Sequence, residues 1–559
     1  MDATVNLAAA LRQLRSLHDS PQKLPYRSAE TYLWIDAICI NQADIEEKNY
    51  QVPLMADIYS AAARVLVWLG PGDQGTDRFM DWLLSSWRPA PGSSSERREA
   101  YVLNQPASSD LYWLSLSIFL RQWFSRIWIV QEAVLPEKDP LVMCGSRTIS
   151  FAHLDGCLRA LVNDHGWMGY KPPSPRIKAF LEEHVKDFDN PGDAIQQVFV
   201  NNARLKGLIG MRSSESSKWL YSSMEQALLD TMHHEATNTR DKIYGLLGII
   251  NEKSRRRVIV DYKLEVWQIS SQAIIANSKT TGFLQAAISQ RHRSNVEIRG
   301  PLPSWLPDFT QKPCYESSLF KLPWIWRHYH GEARPRYSTD HKVLTVTATM
   351  IDTVQMTKLL DFDPYEGQDD LREIERMANT AQMIILGADH PLYSIHHDLR
   401  VELWVVLMLN TTATFFSNLD PHDRVEKHRS LYKLLVDGNP QDKPKRPTNL
   451  NALSDWYWTE DASLSLFTKE MHRLTHNLSF IATSNGFIGI GPRNLESGDR
   501  LAILEYTSYV VALRPRRDTE TTKYVILGPV FIAGLSERYG MLEKLGRDGK
   551  LTNEKVDIV

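Results

Sequence analysis

The sequence predicts an α/β domain with a parallel sheet at the N-terminus, then a mostly helical region and a small β-rich region at the C-terminus. Two strand-length apolar runs, Leu33–Ile38 and Val65–Leu69, flank a helical pattern. This order is typical of a βαβ unit with parallel strands. Helical periodicity dominates residues 175–285. Short apolar runs bounded by turn residues fill residues 478–533 and predict strands.

The helical pattern between the two apolar runs has a clear start and a clear interruption. Asp44 is followed three residues later by Glu47, the spacing of a capping box. Pro53 falls inside the pattern, where it removes a backbone donor and predicts a kink or two shorter helices. Upstream, residues 4–18 form an amphipathic helical pattern that Thr4 is placed to cap.

The remaining chain divides into regions of different pattern. We predict an N-terminal domain over residues 1–150, a helical region over 151–320, a mixed and mainly helical region over 321–475, and a β-rich region over 476–545. Residues 71–110 are polar and predict an exposed insertion with one short helix near Arg78–Ser86. Val343–Val354 alternates and predicts a strand, and a polar tail is expected after Lys544.

Composition excludes several classes of protein. The chain has 559 residues, of which 43% are hydrophobic and 23% charged, as in ordinary globular proteins. A net charge of −3 offers no basis for nucleic-acid binding. The apolar run Leu403–Leu409 is far too short for a membrane span, and no signal-peptide core is present, so we expect a cytoplasmic protein. The four cysteines form no CxxC pair, and no histidine pair has metal-ligand spacing, so no metal is predicted.

A second apolar stretch, Phe119–Leu135, contains a carboxylate. In a continuous helix, Phe124, Trp128, Glu132 and Leu135 would fall near one face. Such surroundings would raise the pKa of Glu132 by desolvation unless Arg121 or Arg126 offsets it.

These stretches resemble the fungal heterokaryon incompatibility (HET) domain. The resemblance is carried by WIDAICINQ, the acidic helix after it, IYSAAARVLVWLG and RQWFSRIWIVQEA. TRDKIYGLLGI, LPSWLPDFT and GFIGIGPRNLESGDRLAIL further along the chain also agree with a HET-domain protein. The resemblance implies non-self recognition that ends in growth arrest or programmed cell death. It also implies an interaction module that self-associates or binds a protein partner.

The HET domain is in turn similar to the TIR domain, which implies a TIR-like or flavodoxin-like parallel sheet. In that comparison WID at 34–36 matches the end of the second strand, and SRIWIVQEA matches a TIR segment that carries a glutamate on a helix. In enzymatic TIR domains that glutamate hydrolyses NAD, so the resemblance makes Glu132 a candidate catalytic residue. The alternative function is therefore an NAD or nucleotide glycohydrolase, with NAD as substrate and no certain cofactor.

Each candidate site residue also has a structural interpretation, and both stay open. Trp128 either stacks on a ligand ring or lies in the core. Asp36, at the predicted end of a parallel strand, either faces a ligand or caps the following segment. Asn41 and Gln42 either contact a ligand or satisfy backbone groups.

One departure from the family concerns the first strand. HET domains usually begin with a YxALSYxWG motif, whereas this sequence begins with the helix that follows that motif. We therefore expect a truncated domain with two unpaired strand edges, unless another segment fills the gap.

Overall fold

The computed structural model describes most of the N-terminal half of the chain and most of the C-terminal strands. The described residues are 4–18, 32–89, 101–103, 109–154, 191–213, 221, 224–276, 284, 302–307, 335–360, 368–386, 407, 429–433, 471, 474–475, 478–505, 507, 509–516, 522–533, 535, 545–546, 549 and 551–559. The chain forms two compact units, one containing Met1–Ile269 and one containing most of the chain from Ser270 to Val559.

Short helices dominate the start of the first unit. They are α1 (Val5–His18), α2 (Asp36–Cys39), α3 (Ile45–Gln51), α4 (Met55–Ala61), α5 (Gln74–Ser86), α6 (Ser109–Phe119) and α7 (Ile129–Val134), with 3-10 turns at Val52–Leu54 and Gln122–Ser125. Two predictions are confirmed here. The amide of Leu7 donates to the Thr4 hydroxyl at the start of α1, and the helical pattern breaks at Pro53, which lies in the 3-10 turn between α3 and α4.

The predicted cap of α3 is also confirmed. Asp44 Oδ1 accepts from the amides of Glu46 and Glu47 at 2.9 and 3.2 Å. Glu47 does not reach back to the cap residue as a capping box would; its Oε1 accepts instead from the amide of Asn41 at 3.1 Å. The loop before α3 is therefore fixed by side-chain to backbone bonds from both directions.

The predicted strand Leu33–Ile38 is wrong. Residues 32–35 have no regular structure, and α2 begins at Asp36. The physical reason is local, because polar side chains in this segment offer backbone amides a partner that competes with strand pairing. Asp36 Oδ1 accepts from the amide of Ala37 at 2.7 Å, and Asn41 Oδ1 accepts from the amide of Ala43 at 3.2 Å.

A three-stranded sheet lies in the first unit, in the order β1 (Leu66–Trp68), β4 (Leu141–Cys144), β5 (Arg147–Ser150). β1 pairs parallel with β4, with Leu66 opposite Leu141, and β4 pairs antiparallel with β5. A separate hairpin joins β2 (Trp87–Pro89) and β3 (Tyr101–Leu103). The second predicted strand of the βαβ unit, Val65–Leu69, thus forms, but its parallel partner follows it in the chain.

The helix of the predicted exposed insertion is buried. Phe79, Met80 and Leu83 on α5 have no exposed surface, and α5 packs against α6 and β5. The prediction of an exposed insertion over 71–110 is therefore wrong for this helix, because its apolar side chains lie at helical spacing and need a core. Residues 90–100 and 104–108 of the predicted insertion lie outside the described residues.

Helices continue through the rest of the described chain. Their bounds are Pro191–Ser213, Met224–Thr231, Asp241–Tyr244, Glu252–Arg255, Val266–Ala276 and Gln368–Leu386. The long helix Pro191–Ser213 is tied to the end of α7 by Arg212, whose Nε lies 3.3 Å from Asp139 Oδ1 with both side chains buried. Arg212 also donates to the carbonyls of Ala133 and Pro136. No helix in the described part of the chain is long and apolar enough to cross a membrane.

The second unit is built on β-strands. They are β6 (Arg336–Tyr337), β7 (Leu344–Leu359), β8 (Leu478–Thr483), β9 (Ile488–Pro492), β10 (Arg500–Leu504), β11 (Val510–Arg516), β12 (Lys523–Ile532) and β13 (Thr552–Ile558). The antiparallel pairings β7–β10–β11–β12–β9–β8–β7 return to their start, so the sheet is closed. The predicted strand at 343–354 is confirmed.

The polar tail expected after Lys544 is wrong. Residues 552–558 form β13, which pairs antiparallel with β7 and parallel with β12. Its alternate residues Val556 and Ile558 are buried, while Asn553 and Lys555 on the opposite face are exposed. Polar residues on the exposed face concealed a strand whose inner face is apolar.

Candidate functional site

Glu132 lies in a cage made by its own neighbours in the chain. Its Oε2 accepts a hydrogen bond from Trp123 Nε1 at 2.9 Å, and its Oε1 lies 3.7 Å from the Arg126 guanidinium. Only 14% of the Glu132 side chain is exposed. Trp123 is held edge-on against Phe124 and Phe151, at centroid distances of 5.2 and 6.4 Å. The donor that faces the carboxylate is therefore fixed by aromatic packing.

The chain from Phe124 to Leu135 does not form the continuous helix that would place Trp128 and Glu132 on one face. A 3-10 turn ends at Ser125, Arg126 has extended backbone, and α7 begins only at Ile129. The prediction that Phe124, Trp128 and Glu132 share one helical face is wrong for this reason. The break instead brings Trp123 and Arg126 back onto Glu132, which a straight helix would not do.

Burial controls the electrostatics around Glu132. It raises the pKa of Glu132, while Arg126 and the Trp123 hydrogen bond act in the opposite direction. The pKa of Tyr59 is raised well above its ordinary value by burial, then by the negative charges of Glu132 and Asp36. Glu132 in turn raises the pKa of Arg126. These four groups therefore share one environment in which Arg126 supplies the balancing charge.

Trp128 is directed to a second carboxylate. Its Nε1 donates to Asp241 Oδ2 at 3.2 Å, and the Tyr262 hydroxyl donates to Asp241 Oδ1 at 2.6 Å. Burial raises the pKa of Asp241, and the two hydrogen bonds oppose that rise. Trp128 is thus a structural donor to the segment 239–249 and does not present its ring as an isolated stacking platform beside Glu132.

A cleft of about 580 Å³ opens next to Asp241. It is lined by Gln42, Lys48, Thr237, Asn238, Thr239, Arg240 and Asp241. Of the five sequence-derived candidates, Gln42 alone is among these lining residues; Glu132, Trp128, Asp36 and Asn41 are not. This cleft therefore does not join Glu132 and Trp128 to the 36–42 loop, as the pocket of a glycohydrolase would.

The remaining candidates satisfy backbone groups. Asp36, the first residue of α2, accepts from the amide of Ala37. Gln42 Nε2 donates to the carbonyl of Asp36 at 3.2 Å, and Asn41 accepts from the amide of Ala43. Asp36 and Asn41 thus each accept from a backbone amide, and Gln42 donates to a backbone carbonyl while also lining the cleft.

Asn49 and Lys48 join α3 to the segment after Asp241. Asn49 accepts from the amide of Tyr262 at 2.9 Å and donates to Asp261 Oδ1 at 3.2 Å. The Lys48 ammonium lies 4.2 Å from the centroid of the Tyr262 ring. These bonds fix the cleft wall that carries Lys48 relative to the wall that carries Asp241.

Sequence reasoning missed Lys48 and Arg240. The charge run 44–48 predicts a helix cap and a solvated face, and Arg240 next to Asp241 suggests only an ion pair at a helix start. In the structure Arg240 Nε donates to the carbonyl of Leu264 at 2.8 Å, and Asp241 pairs with Trp128 and Tyr262. The motif TRDKIYGLLGI was the available signal, because it places polar residues directly before an apolar helix start.

Two glycines let this motif approach the 127–131 segment. A Cβ on Gly245 would lie 3.2 Å from Ile127 Cγ1, and a Cβ on Gly248 would lie 2.6 Å from Gln131 Oε1 and 2.8 Å from Ala56 Cβ. Gln131 in turn donates to the carbonyl of Gly245 at 2.9 Å. The two glycines therefore allow residues 245–248 to pack closely against residues 127–131. The same packing brings Trp128 to Asp241.

The described residues contain no group of three or more His, Cys, Asp or Glu side chains placed to hold a metal ion.

Comparison with known proteins gives two matches and one negative result. The family model described as "Heterokaryon incompatibility protein (HET)" matches residues 1–132. The chain is also similar to heterokaryon incompatibility protein 6, OR allele, of Neurospora crassa, with 24% identity over 610 aligned positions. That alignment covers 96% of this chain and 84% of the relative. No solved structure matches.

Proposed function

Because residues 1–132 are a heterokaryon incompatibility domain, we propose that the chain acts in fungal incompatibility. The observation that carries this proposal is the alignment with an incompatibility protein over 96% of the chain. That alignment extends well past residue 132, so the regions after the HET domain share the proposed role. The output of the reaction is growth arrest or programmed cell death of the cell that detects a non-self partner.

The HET domain works in this proposal as an interaction module, through self-association or a protein partner. Support comes from apolar side chains that the 32–50 segment leaves exposed. Leu33 and Ile38 are 48% and 44% exposed, and Ile45 and Tyr50 on α3 are 40% and 70% exposed. Exposed apolar side chains that lie close together in the sequence are common where proteins dock.

We further propose that the domain is a divergent TIR-like fold. The parallel pairing of β1 and β4, with helices between them in the chain, supports the proposal, since parallel pairs with helical crossovers are the basis of such sheets. The helix at 36–39, where a TIR domain has the end of its second strand, is the feature that makes the relation distant.

Glu132 has a structural role in this proposal. The glycohydrolase alternative requires a carboxylate that faces a ligand, so that it can stabilise a cationic transition state. Glu132 is instead occupied by Trp123 and Arg126, and the cleft is lined by other residues. Its raised pKa follows from burial and does not by itself indicate catalysis.

The proposed function is tested by inducing the full chain in fungal cells and measuring growth and uptake of a viability dye. We expect induction to arrest growth. Leu33→Asp with Ile38→Asp should abolish the arrest, because two charges would oppose docking at the exposed apolar segment. Ile259→Asp, at a position 65% exposed and outside the HET domain, should leave the arrest unchanged. Normal growth with the wild-type chain, or equal loss in both variants at equal protein levels, would contradict the proposal.

A further inference from the structure

Two cations, Lys48 and Arg240, line the cleft beside Asp241. Lys48 lies over the Tyr262 ring, and Arg240 uses its Nε on a backbone carbonyl. Within the part of the chain that the structure describes, neither cation forms an ion pair with a carboxylate. Because Arg and Lys form strong charge-assisted hydrogen bonds with phosphate oxygens, we propose that the cleft binds the phosphate group of a small phosphorylated molecule.

The charge of the Asp241 carboxylate acts on both Lys48 and Arg240 and offsets one of the two positive charges. Both oxygens of Asp241 are taken by uncharged donors, Trp128 and Tyr262. With two cations and one anion among the seven lining residues, the cleft has a formal charge of +1. This net positive charge favours an anionic ligand over a neutral one.

The other lining residues supply hydrogen-bond donors of the right kind. Thr237 and Thr239 carry hydroxyl groups. Asn238 Oδ1 accepts from the amide of Arg240 at 3.1 Å, which orients the Asn238 amide nitrogen away from that bond as a donor. Phosphate oxygens accept from several such donors at once, and their charge strengthens each hydrogen bond.

The size of the cleft selects a small molecule. A volume of about 580 Å³ lies within the range of small-ligand sites. The chain carries a net charge of −3, so a long polyanion such as nucleic acid finds no extended basic surface. Inorganic phosphate, a sugar phosphate and a nucleotide share the chemistry that Lys48 and Arg240 recognise, and the experiment separates them.

The site is built before the ligand arrives. Asn49 and Lys48 both hold the Tyr262 segment, and Tyr262 holds Asp241. Because these side chains are already ordered, binding loses less conformational entropy. This inference is independent of the proposed function, because binding is measured on the purified chain and the incompatibility reaction is measured in cells.

The test is titration calorimetry of the purified full-length chain with inorganic phosphate, glucose 6-phosphate, adenosine monophosphate and adenosine. We expect saturable binding of at least one phosphorylated probe and none of adenosine. Lys48→Gln should weaken that binding about tenfold or more, and Lys48→Arg should retain most of it. Arg256→Gln, which removes a cation from a surface pair 76% exposed, is the matched control and should bind as the wild type does.

Each outcome decides the proposal. Binding of inorganic phosphate shows that the phosphate group suffices, and binding of one organic phosphate alone shows that the rest of that ligand is also recognised. Absence of binding by all three phosphorylated probes overturns the proposal. Equal weakening by Lys48→Gln and Arg256→Gln, with both variants folded by circular dichroism, also overturns it. The ligand would then be attracted by the overall charge of the chain and not by the cleft.

Discussion

At the scale of single residues, Glu132 shows how far the sequence could be interpreted. An apolar and aromatic stretch around one carboxylate predicted burial, and two nearby arginines predicted a partner. Arg126 is that partner, whereas Arg121 lies 3.5 Å from Asp73. The Trp123 hydrogen bond could not be predicted, because it depends on a break in the helix that spacing alone does not show.

We expect Glu132→Ala to lower the free energy of unfolding by about 1–3 kcal/mol. The substitution leaves the Trp123 N–H without its acceptor and Arg126 without its counter-charge in a half-buried setting. Glu132→Gln should cost less, because its carbonyl still accepts from Trp123. Urea unfolding monitored by tryptophan fluorescence measures both. Glu46→Ala, which removes an exposed ion pair with Lys263, is the control and should change little; equal effects at the two sites would contradict the structural role.

Because Lys242 is buried, we expect the stability of the chain to depend on pH. It donates to the carbonyls of Met232 and His234 in the interior, and burial lowers its pKa from 10.5 to about 8. Between these values the unfolded chain binds more protons than the folded chain, so the free energy of unfolding rises with pH from 8 to 10.5. The rise attributable to Lys242 is roughly 3 kcal/mol.

The measurement is the difference in urea stability between wild type and Lys242→Met across that pH range. The free energy of unfolding of the wild type should rise relative to that of Lys242→Met as the pH rises. Above pH 10 the raised pKa of Tyr262 acts in the opposite direction in both proteins and cancels in the comparison. Lys253→Met, at an exposed position, should give no such trend. A flat difference for Lys242→Met would show that its ammonium is not desolvated.

At the scale of elements, the sequence predicts the start and the interruption of helices but does not predict contacts between distant segments. The Asp44 cap and the interruption at Pro53 depend only on neighbours within one turn. The Leu33–Ile38 run has the composition of a strand, yet α2 forms there, because Asp36 and Asn41 bind backbone amides locally. The cleft joins α3 to residues about 200 positions later, and no local pattern reports such a distance.

We expect Gly248→Ala to destabilise the chain, because it separates two packed segments. A methyl group there would meet Gln131 Oε1 and Ala56 Cβ at under 3.0 Å, and overpacking of this kind costs about 1–3 kcal/mol. Gly207→Ala, in the helix Pro191–Ser213 with nothing within 4 Å of the added Cβ, is the matched control. It should stabilise the chain by about 0.5–1 kcal/mol. Thermal or urea unfolding of the two variants tests the contrast, and a neutral Gly248→Ala would show that the two segments separate easily.

At the scale of the whole molecule, the chain forms two compact units with different construction. The first is helical around a three-stranded sheet, and the second is a closed sheet whose interior is apolar. Alternation in β7 made that strand predictable. β13 was missed, because Thr552–Lys555 are polar and only its last residues have an apolar face. Closure itself depends on pairings such as β9 with β12, which composition does not encode.

We expect Val556→Gln to loosen the closed sheet alone. Val556 is 1% exposed, and burying its replacement amide would cost about 1–3 kcal/mol. Hydrogen exchange should rise in residues 344–359 and 523–532, which pair with β13, and stay unchanged in 45–61 and 141–150. Lys555→Gln, on the exposed face of the same strand, should leave both regions unchanged. A rise in both units after Val556→Gln would contradict their separate construction.

The most direct test of the account compares wild type with Glu132→Gln in fungal cells, with growth and cellular NAD measured together after induction. If the HET domain acts as an interaction module and Glu132 only holds its fold, both proteins arrest growth and neither lowers NAD. If the wild type arrests growth and depletes NAD while an equally abundant, folded Glu132→Gln does neither, Glu132 is catalytic and the account is wrong.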